Sequence, residues 1–143
     1  MKKPRVRAIV ICVCRRGDRI PVSELRDIVK KETFYRPLGG TIEFGERGEA
    51  ALRREFSEEI NAELSDIRYL GTLENIFTCD GRRGHEIVLV YDGRLADESL
   101  YEQKAIRGNE LGTPFLAVWK RLDEFGPSKP PLYPDGLLEL LQA

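Results

Sequence analysis

The sequence has few of the residues on which disulfide frameworks and many metal sites depend. It contains three cysteines, one histidine, one tryptophan and one methionine in 143 residues. Three cysteines are too few for a disulfide framework or a four-ligand zinc site, and a single histidine excludes a histidine-rich metal site. No apolar run approaches the ~20 residues that span a bilayer. These absences favour a protein of a reducing compartment, and we expect a cytoplasmic chain without a membrane partner.

The chain also lacks a dominant charge. Its 23 basic and 24 acidic residues leave a formal net charge of −1. No overall field therefore attracts nucleic acid, so we expect no general nucleic-acid binding, whereas a small phosphorylated substrate remains compatible. The hydrophobic fraction of 41% is typical of a folded globular protein. The length predicts a single domain over residues 1–143.

The pattern of apolar and turn-forming residues predicts an α+β or αβα-layered domain in which strands dominate. Strands are predicted at 6–14, 19–25, 41–44, 67–78, 86–95 and 114–122, and helices at 46–61 and 135–142. The segments 27–33 and 96–112 are predicted as loops, the second unusually long. Cys12 and Cys14 should lie on one face of the first strand as buried free thiols. The basic residues before the apolar run 8–14 resemble a secretion signal, but seven apolar residues fit a buried strand better.

The predicted helix at 46–61 carries three carboxylates beside an apolar face. At about 100° per residue, one arc that can pack on a sheet contains Leu52, Phe56, Ile60 and Leu64. Glu55, Glu58 and Glu59 lie together on the flank of this arc, where like charges repel one another. A divalent cation such as Mg²⁺ or Mn²⁺ would neutralise them, and a sharp turn at 39–40 would offer it a backbone carbonyl. A solvated acidic helix face is the alternative.

The residues around this helix resemble the signature box of the Nudix hydrolase family. Six strongly specified positions of the box are present: Gly40, Glu46, Arg54, Glu55, Glu58 and Glu59. Phe56 and Ala62 occupy apolar positions of the box. Asn61 replaces the box glycine, and asparagine tolerates the left-handed conformation in which many helices end. The resemblance implies an αβα sandwich with a mixed β-sheet, one central catalytic helix and a short C-terminal helix.

The resemblance also implies an activity and a role for each box residue. The activity is hydrolysis of a diphosphate linkage in a nucleoside diphosphate derivative, such as a nucleotide sugar, ADP-ribose, a dinucleoside polyphosphate or a modified nucleoside triphosphate. Metal ions suit this reaction because the charge of a pyrophosphate repels a nucleophile. Glu46 and Arg54 would orient the metal-binding carboxylates. The implied ligands of Mg²⁺ or Mn²⁺ are Gly40, through its carbonyl, and Glu55, Glu58 and Glu59.

The resemblance leaves the general base open, because in this family it comes from the box itself or from a glutamate in a later loop. Glu98, Glu102 and Glu110 all lie in the polar segment 96–112. We select Glu102 because of its place between the two flanking strands. Ordinary loop charges are the alternative for each of these glutamates.

Residues that recognise the substrate are marked less clearly. Tyr35 and Arg36 precede the two glycines and are candidates to stack on a base or to pair with a phosphate. Phe77 is a further candidate for stacking. For both aromatic residues, packing in the core is the alternative.

Two functions from different classes follow. The first is a Mg²⁺-dependent pyrophosphohydrolase with a small-molecule nucleotide substrate. The second is a Nudix-like domain that senses a nucleotide without turning it over. The clustered glutamates favour the enzyme, because a sensor has no chemical need for three repelling carboxylates. A monomer and a homodimer are both compatible with the sequence.

Overall fold

The structure, a computed structural model, describes residues 3–143 and is built on a mixed β-sheet. Within these residues the sheet contains seven strands: β1 (Val6–Cys12), β2 (Arg19–Asp27), β3 (Glu32–Thr41), β4 (Leu64–Cys79), β5 (Arg82–Leu95), β6 (Ala105–Glu110) and β7 (Thr113–Arg121). Helix α1 (Gly48–Ile60) follows β3, and helix α2 (Leu137–Gln142) ends the chain. Short 3₁₀ segments cover Glu98–Glu102 and Leu122–Glu124.

The strand order in the sheet is β4-β5-β1-β3-β2-β7-β6. The first strand lies inside the sheet, where it runs parallel to β5 and antiparallel to β3. Its residues are apolar on both faces because both faces are covered by other elements. The β4–β5 hairpin that the sequence predicts is present, with Asp80 and Gly81 at the turn.

The two faces of β1 form two separate cores. Val10 and Cys12 belong to the core beneath α1, together with Leu52 and Phe56 of that helix. On the opposite face lies a second core, which joins β1 to α2 and contains Ile9, Ile11, Val13, Leu137 and Leu141. Alternation along one strand thus places a helix on each side of the sheet. The predicted α+β class and αβα layering are confirmed, as is the burial of the Cys12 and Cys14 thiols.

Helix α1 ends where the sequence predicts. Asn61 adopts φ +52° and ψ +43°, which is the left-handed conformation. Its backbone N–H donates to the Ser57 carbonyl, and the N–H of Ala62 donates to the Phe56 carbonyl. Asparagine therefore ends this helix in the manner usually supplied by glycine.

The prediction of a sharp turn at residues 39–40 followed by a strand at 41–44 is wrong. Gly39 and Gly40 lie inside β3, in register with Ile11 and Val10 of β1, and the strand ends at Thr41. A Cβ on Gly39 would collide with the backbone carbonyl of Val10. These glycines therefore permit close packing within a strand and not a change of direction. The predicted loop 27–33 is likewise too long, since β3 begins at Glu32.

The prediction of a continuous loop over residues 96–112 is also wrong. It contains a 3₁₀ segment and the edge strand β6, which pairs with β7 through a hairpin at Leu111 and Gly112. The strand escaped prediction because most of its residues are polar. A strand at the edge of a sheet needs few apolar residues and is often polar.

Among residues 3–143, no helix has the length and apolar character needed to cross a membrane.

Replacing Phe56 with alanine tests the attachment of α1 to the sheet. Phe56 is 1% exposed and packs in the core beneath α1. We expect Phe56→Ala to lower the free energy of unfolding by about 3–5 kcal/mol, because it leaves a cavity between helix and sheet. Urea denaturation followed by circular dichroism measures the change. The control Ser57→Ala alters the next, exposed residue and should stay within about 0.5 kcal/mol. Equal losses in the two variants would contradict this account.

Candidate functional site

The side chain of Arg54, in the middle of α1, joins β3, the following loop and the helix. Its Nη2 donates to the carbonyl oxygen of Thr41 at 3.0 Å, at the end of β3. Its Nε and Nη2 donate to the Glu46 carboxylate at 2.8 and 2.9 Å. Such a two-pronged contact fixes direction as well as distance. The loop between β3 and α1 is therefore held against the helix.

The same guanidinium contacts two of the predicted metal ligands. Its Nη1 lies 2.8 Å from a Glu55 oxygen and 3.3 Å from a Glu58 oxygen. The hydrogen bonds from Arg54 are the main reason why the pKa of Glu46 falls to about 2. Glu46 in turn is the main cause of the raised pKa of Arg54. The structure thus brings the predicted orienting pair together with these carboxylates.

Glu55 lies beside Gly40, and Glu59, one turn further along α1, is partly sheltered from solvent. A Cβ on Gly40 would collide with the Glu55 carboxylate, so glycine is required for this carboxylate to lie against β3. Burial is the main cause that raises the pKa of Glu59 to about 8. The hydrogen bond with Glu55 and the negative charge of Glu55 raise this pKa further. The two neighbouring carboxyl groups therefore carry a full negative charge each less readily than ordinary glutamates do.

The chemistry of this group fits a hard divalent cation. Within residues 3–143, no three or more Asp, Glu, His or Cys side chains are already arranged around a metal position. Burial and the neighbouring Glu55 both raise the pKa of Glu59, and a bound cation would offset both effects. Glu58 contributes a third, exposed carboxylate on the same helix. Carboxylate and carbonyl oxygens are the ligands that Mg²⁺ and Mn²⁺ prefer.

Of the three later glutamates, Glu110 is the one that acts on this cluster. Its negative charge adds to the raised pKa of Glu59, whereas neither Glu98 nor Glu102 is among the causes. The reason is that β6, which ends at Glu110, packs against α1. Glu98 instead pairs with Arg94 at 2.6 Å. Glu102 ends the preceding 3₁₀ segment. Had the sequence predicted strand β6, Glu110 at its end would have been the candidate nearest to α1.

A cleft of about 620 Å³ opens between the β2–β3 and β4–β5 hairpins. Two of the predicted substrate-binding residues, Arg36 and Phe77, line it, together with the aromatic residues Phe34 and Tyr133. The rings of Phe34 and Tyr133 lie 5.4 Å apart. Arg36 and Gly40 both lie in β3, four residues apart. The cleft therefore extends from the same strand that supports the glutamate cluster.

A buried carboxylate supports Arg36 at the wall of the cleft. Glu86 is 3% exposed, and its Oε1 lies 2.8 Å from Arg36 Nη2 and 3.4 Å from Asn75 Nδ2. The positive charge of Arg36 compensates the buried charge of Glu86, and Glu86 in turn holds the Arg36 guanidinium in place. Sequence reasoning missed Glu86 and Asn75. The sequence did contain a signal for Glu86, because this charged residue lies in phase with the buried Val88 and Val90 of β5 and therefore on the same buried face.

The structure does not bring Tyr35 to the cleft. Tyr35 is 7% exposed and belongs to the core on the α2 side of the sheet. Its hydroxyl donates to Glu24 at 2.7 Å, and burial is the main cause that raises its pKa to about 12. Adjacent residues of a strand point to opposite faces, so Tyr35 and Arg36 cannot both line the cleft.

Solved structures of low sequence identity share this fold. A MutT NUDIX hydrolase from Burkholderia pseudomallei has a TM-score of 0.69 and 22% identity, covering 97% of this chain and 98% of that chain. A NUDIX hydrolase from Nitrosomonas europaea has a TM-score of 0.59 and 20% identity, covering 84% of this chain and 75% of that chain.

The sequence also matches curated relatives and a family model. The relatives include the NAD-capped RNA hydrolase NudC of Mycobacterium bovis and of Mycobacterium tuberculosis, each 37% identical over 70 residues. This match covers 48% of this chain and 22% of the relative, so the chain spans about a fifth of that protein's length. The family model described as NUDIX domain matches residues 3–137. Since this match includes the whole glutamate cluster and nearly the entire sheet, the chain belongs to the Nudix family.

Proposed function

We propose that this protein hydrolyses a diphosphate linkage in a nucleoside diphosphate derivative in a reaction that depends on Mg²⁺. The observation that carries the proposal is the grouping of Glu55, Glu58 and Glu59 on α1, with the Glu55 carboxylate held against Gly40 and contacted by Arg54. Such an arrangement strains the isolated protein and suits a bound cation. Nudix hydrolases generally use divalent metal ions such as Mg²⁺.

The cluster supplies every donor that the family resemblance assigns to the metal. Glu55, Glu58 and Glu59 would hold Mg²⁺ together with the carbonyl oxygen of Gly40, and Mn²⁺ prefers similar donors. When bound, the ion would neutralise charge on the diphosphate and activate a water molecule. Before binding, the proton on Glu59 must leave, because ligands bind metals in their deprotonated form.

The residues around the cluster have separate tasks in this proposal. Arg54 and Glu46 hold the loop and orient the carboxylates, as their short contacts suggest. The cleft would take the nucleoside, with Arg36 as a donor to substrate oxygens and Phe77 as an apolar wall. The buried Glu86 keeps the Arg36 guanidinium in position. A preoriented donor loses less entropy on binding than a free one.

The relatives are consistent with a nucleotide substrate. The name of the mycobacterial relatives states that they hydrolyse NAD-capped RNA. NAD contains a diphosphate that joins two nucleosides, so the same type of bond lies within the proposed substrate class. We infer a small-molecule nucleotide substrate for this chain. The assay described next identifies the compound.

Phosphorus NMR with a panel of nucleotide derivatives and Mg²⁺ tests the activity. We expect at least one compound to be cleaved, and Glu59→Gln to lower kcat by at least about 100-fold, since a metal ligand is lost. The fold should persist because glutamine resembles the protonated Glu59. Glu63→Gln, at an exposed residue just beyond α1, is the control with unchanged turnover. Normal turnover by Glu59→Gln would remove the cluster from the mechanism. Metal-independent binding without any cleavage would favour the sensor.

Kinetics of two further variants distinguish the candidates for the general base. Glu102 is the candidate from the sequence, and the neighbourhood of Glu59 favours Glu110. We expect Glu110→Gln to reduce kcat by about 100-fold or more, as loss of a general base does, and Glu102→Gln to reduce it less. The reverse order would favour Glu102. Equal, small losses would assign the base to the box itself.

Acid unfolding tests the bond between Arg54 and Glu46. The pKa of Glu46 is about 2 in the folded protein against an ordinary value of 4.5. A lowered pKa adds stability that is complete above the ordinary pKa and is lost as the pH falls towards about 2. We therefore expect Glu46→Gln to be less stable than wild type at about pH 6, with the difference shrinking towards about pH 2. Urea denaturation across this range measures it. For the control Glu63→Gln, we expect no such trend, and a similar trend there would contradict the assignment.

A further inference from the structure

The buried carboxylate of Glu86 is shared by two arginines. Its Oε1 lies 2.8 Å from Nη2 of Arg36, and its Oε2 lies 3.9 Å from Nη1 of Arg7. Among residues 3–143, Glu86 is the one carboxylate that pairs with either guanidinium. Two positive charges therefore face a single negative charge, and the group keeps an excess of one positive charge. Such an excess attracts an anion.

Strand register places this group in a row that runs from the cleft to β3. Glu86 of β5 is paired with Asn75 of β4, which lines the cleft, and with Arg7 of β1. Paired residues of neighbouring strands lie side by side, about 5 Å apart. On the other side of β1, Ile9 is paired with Thr41 of β3. Arg7, two residues before Ile9, therefore stands next to the end of the strand that supports the glutamate cluster.

Thr41 connects Arg7 to the glutamate cluster by direct contacts. Nη2 of Arg7 donates to the Thr41 hydroxyl at 2.6 Å, and Nη2 of Arg54 donates to the carbonyl oxygen of the same residue at 3.0 Å. Arg54 in turn contacts Glu55 at 2.8 Å. The contacts run without a break from the cluster to the wall of the cleft, in the order Glu55, Arg54, Thr41, Arg7, Glu86 and Arg36.

The guanidinium of Arg7 is restrained at two points but remains open to solvent. Its side chain is 58% exposed, against 23% for Arg36. A guanidinium has five N–H donors. In the part of the chain that the structure describes, the Thr41 hydroxyl is the one acceptor that the Arg7 side chain hydrogen-bonds. Most of the donors of Arg7 are therefore available to a ligand.

We infer that Arg7, together with Arg36, binds phosphate oxygens of the substrate between the glutamates and the cleft. This inference rests on the proposed function and adds to it a substrate-binding residue outside the signature box at 40–62. A substrate with its nucleoside in the cleft and its diphosphate at the glutamates would lie along this row of contacts. The planar fork of an arginine matches two phosphate oxygens, and the added negative charge would balance the excess positive charge.

Titration of inorganic pyrophosphate in the presence of EDTA tests this anion site. Without a metal ion the glutamates repel pyrophosphate, so the arginines are left to bind it. We expect calorimetry at low ionic strength to detect binding by the wild-type protein. Arg7→Gln should raise the Kd by about 10-fold or more, since a hydrogen bond between charged groups is lost. Arg7→Lys keeps the charge without the planar fork, so it should raise the Kd less.

Arg26→Gln is the matched control. Nη1 of Arg26 donates to the hydroxyl of Thr33 on the neighbouring strand at 3.0 Å. The two glutamine variants thus remove the same charge and a similar contact with threonine, but Arg7→Gln alone alters the group around Glu86. We expect an unchanged Kd in Arg26→Gln. No binding by the wild type, equal losses in both variants, or an unchanged Kd in Arg7→Gln would each overturn the site.

The pyrophosphate titration and the phosphorus NMR assay fail independently. For a compound that the NMR assay shows to be cleaved, Arg7→Gln should raise KM and leave kcat nearly unchanged, because the contact is made before and during the reaction. A lower kcat with an unchanged KM would contradict a role in substrate binding. Binding of pyrophosphate through Arg7 without cleavage of any compound would overturn the proposed activity and leave the anion site standing.

Discussion

The guanidinium of Arg54 is the contact on which the arrangement of the site depends. It binds the last carbonyl of β3, the carboxylate of Glu46 in the following loop, and two glutamates of its own helix. Without it, the loop would have no fixed path and three neighbouring carboxylates would repel one another without compensation. Since the contacts are charged, short and partly buried, they are much stronger than an ordinary surface ion pair.

The second constraint is the close approach of β3 to its neighbours. Gly39 lets the strand lie against the backbone of β1, and Gly40 makes room for the carboxylate of Glu55. The β2–β3 and β4–β5 hairpins leave the cleft between them. Glu86 is 3% exposed, and its buried charge would destabilise the fold without the contacts from Arg36 and Asn75. Core packing thus positions both the glutamate cluster and the wall of the cleft.

Departures from ordinary folding preferences occur around the glutamate cluster. Burial and Glu55 raise the pKa of Glu59, and Leu111, next to Glu110, has a positive φ. Natural proteins tolerate such departures mainly where function requires them. The two cores on either side of β1 show no comparable conflict. Stability therefore comes from the sheet and its two helices.

The sequence by itself determined the features that depend on residues close together in the chain. The spacing of Glu55, Glu58 and Glu59 along a helix, the end of that helix at Asn61, and the alternation along β1 follow from local geometry, and so the box and the layered fold could be predicted. Only the tertiary structure decided the rest: β6 brings Glu110 to the cluster, β5 supplies Glu86 to Arg36, and Tyr35 turns into the core. These contacts join residues far apart in sequence, and they depend on strand register and on which edge of the sheet each strand occupies. Local propensity does not encode that information, because a polar edge strand and a polar loop have nearly the same composition.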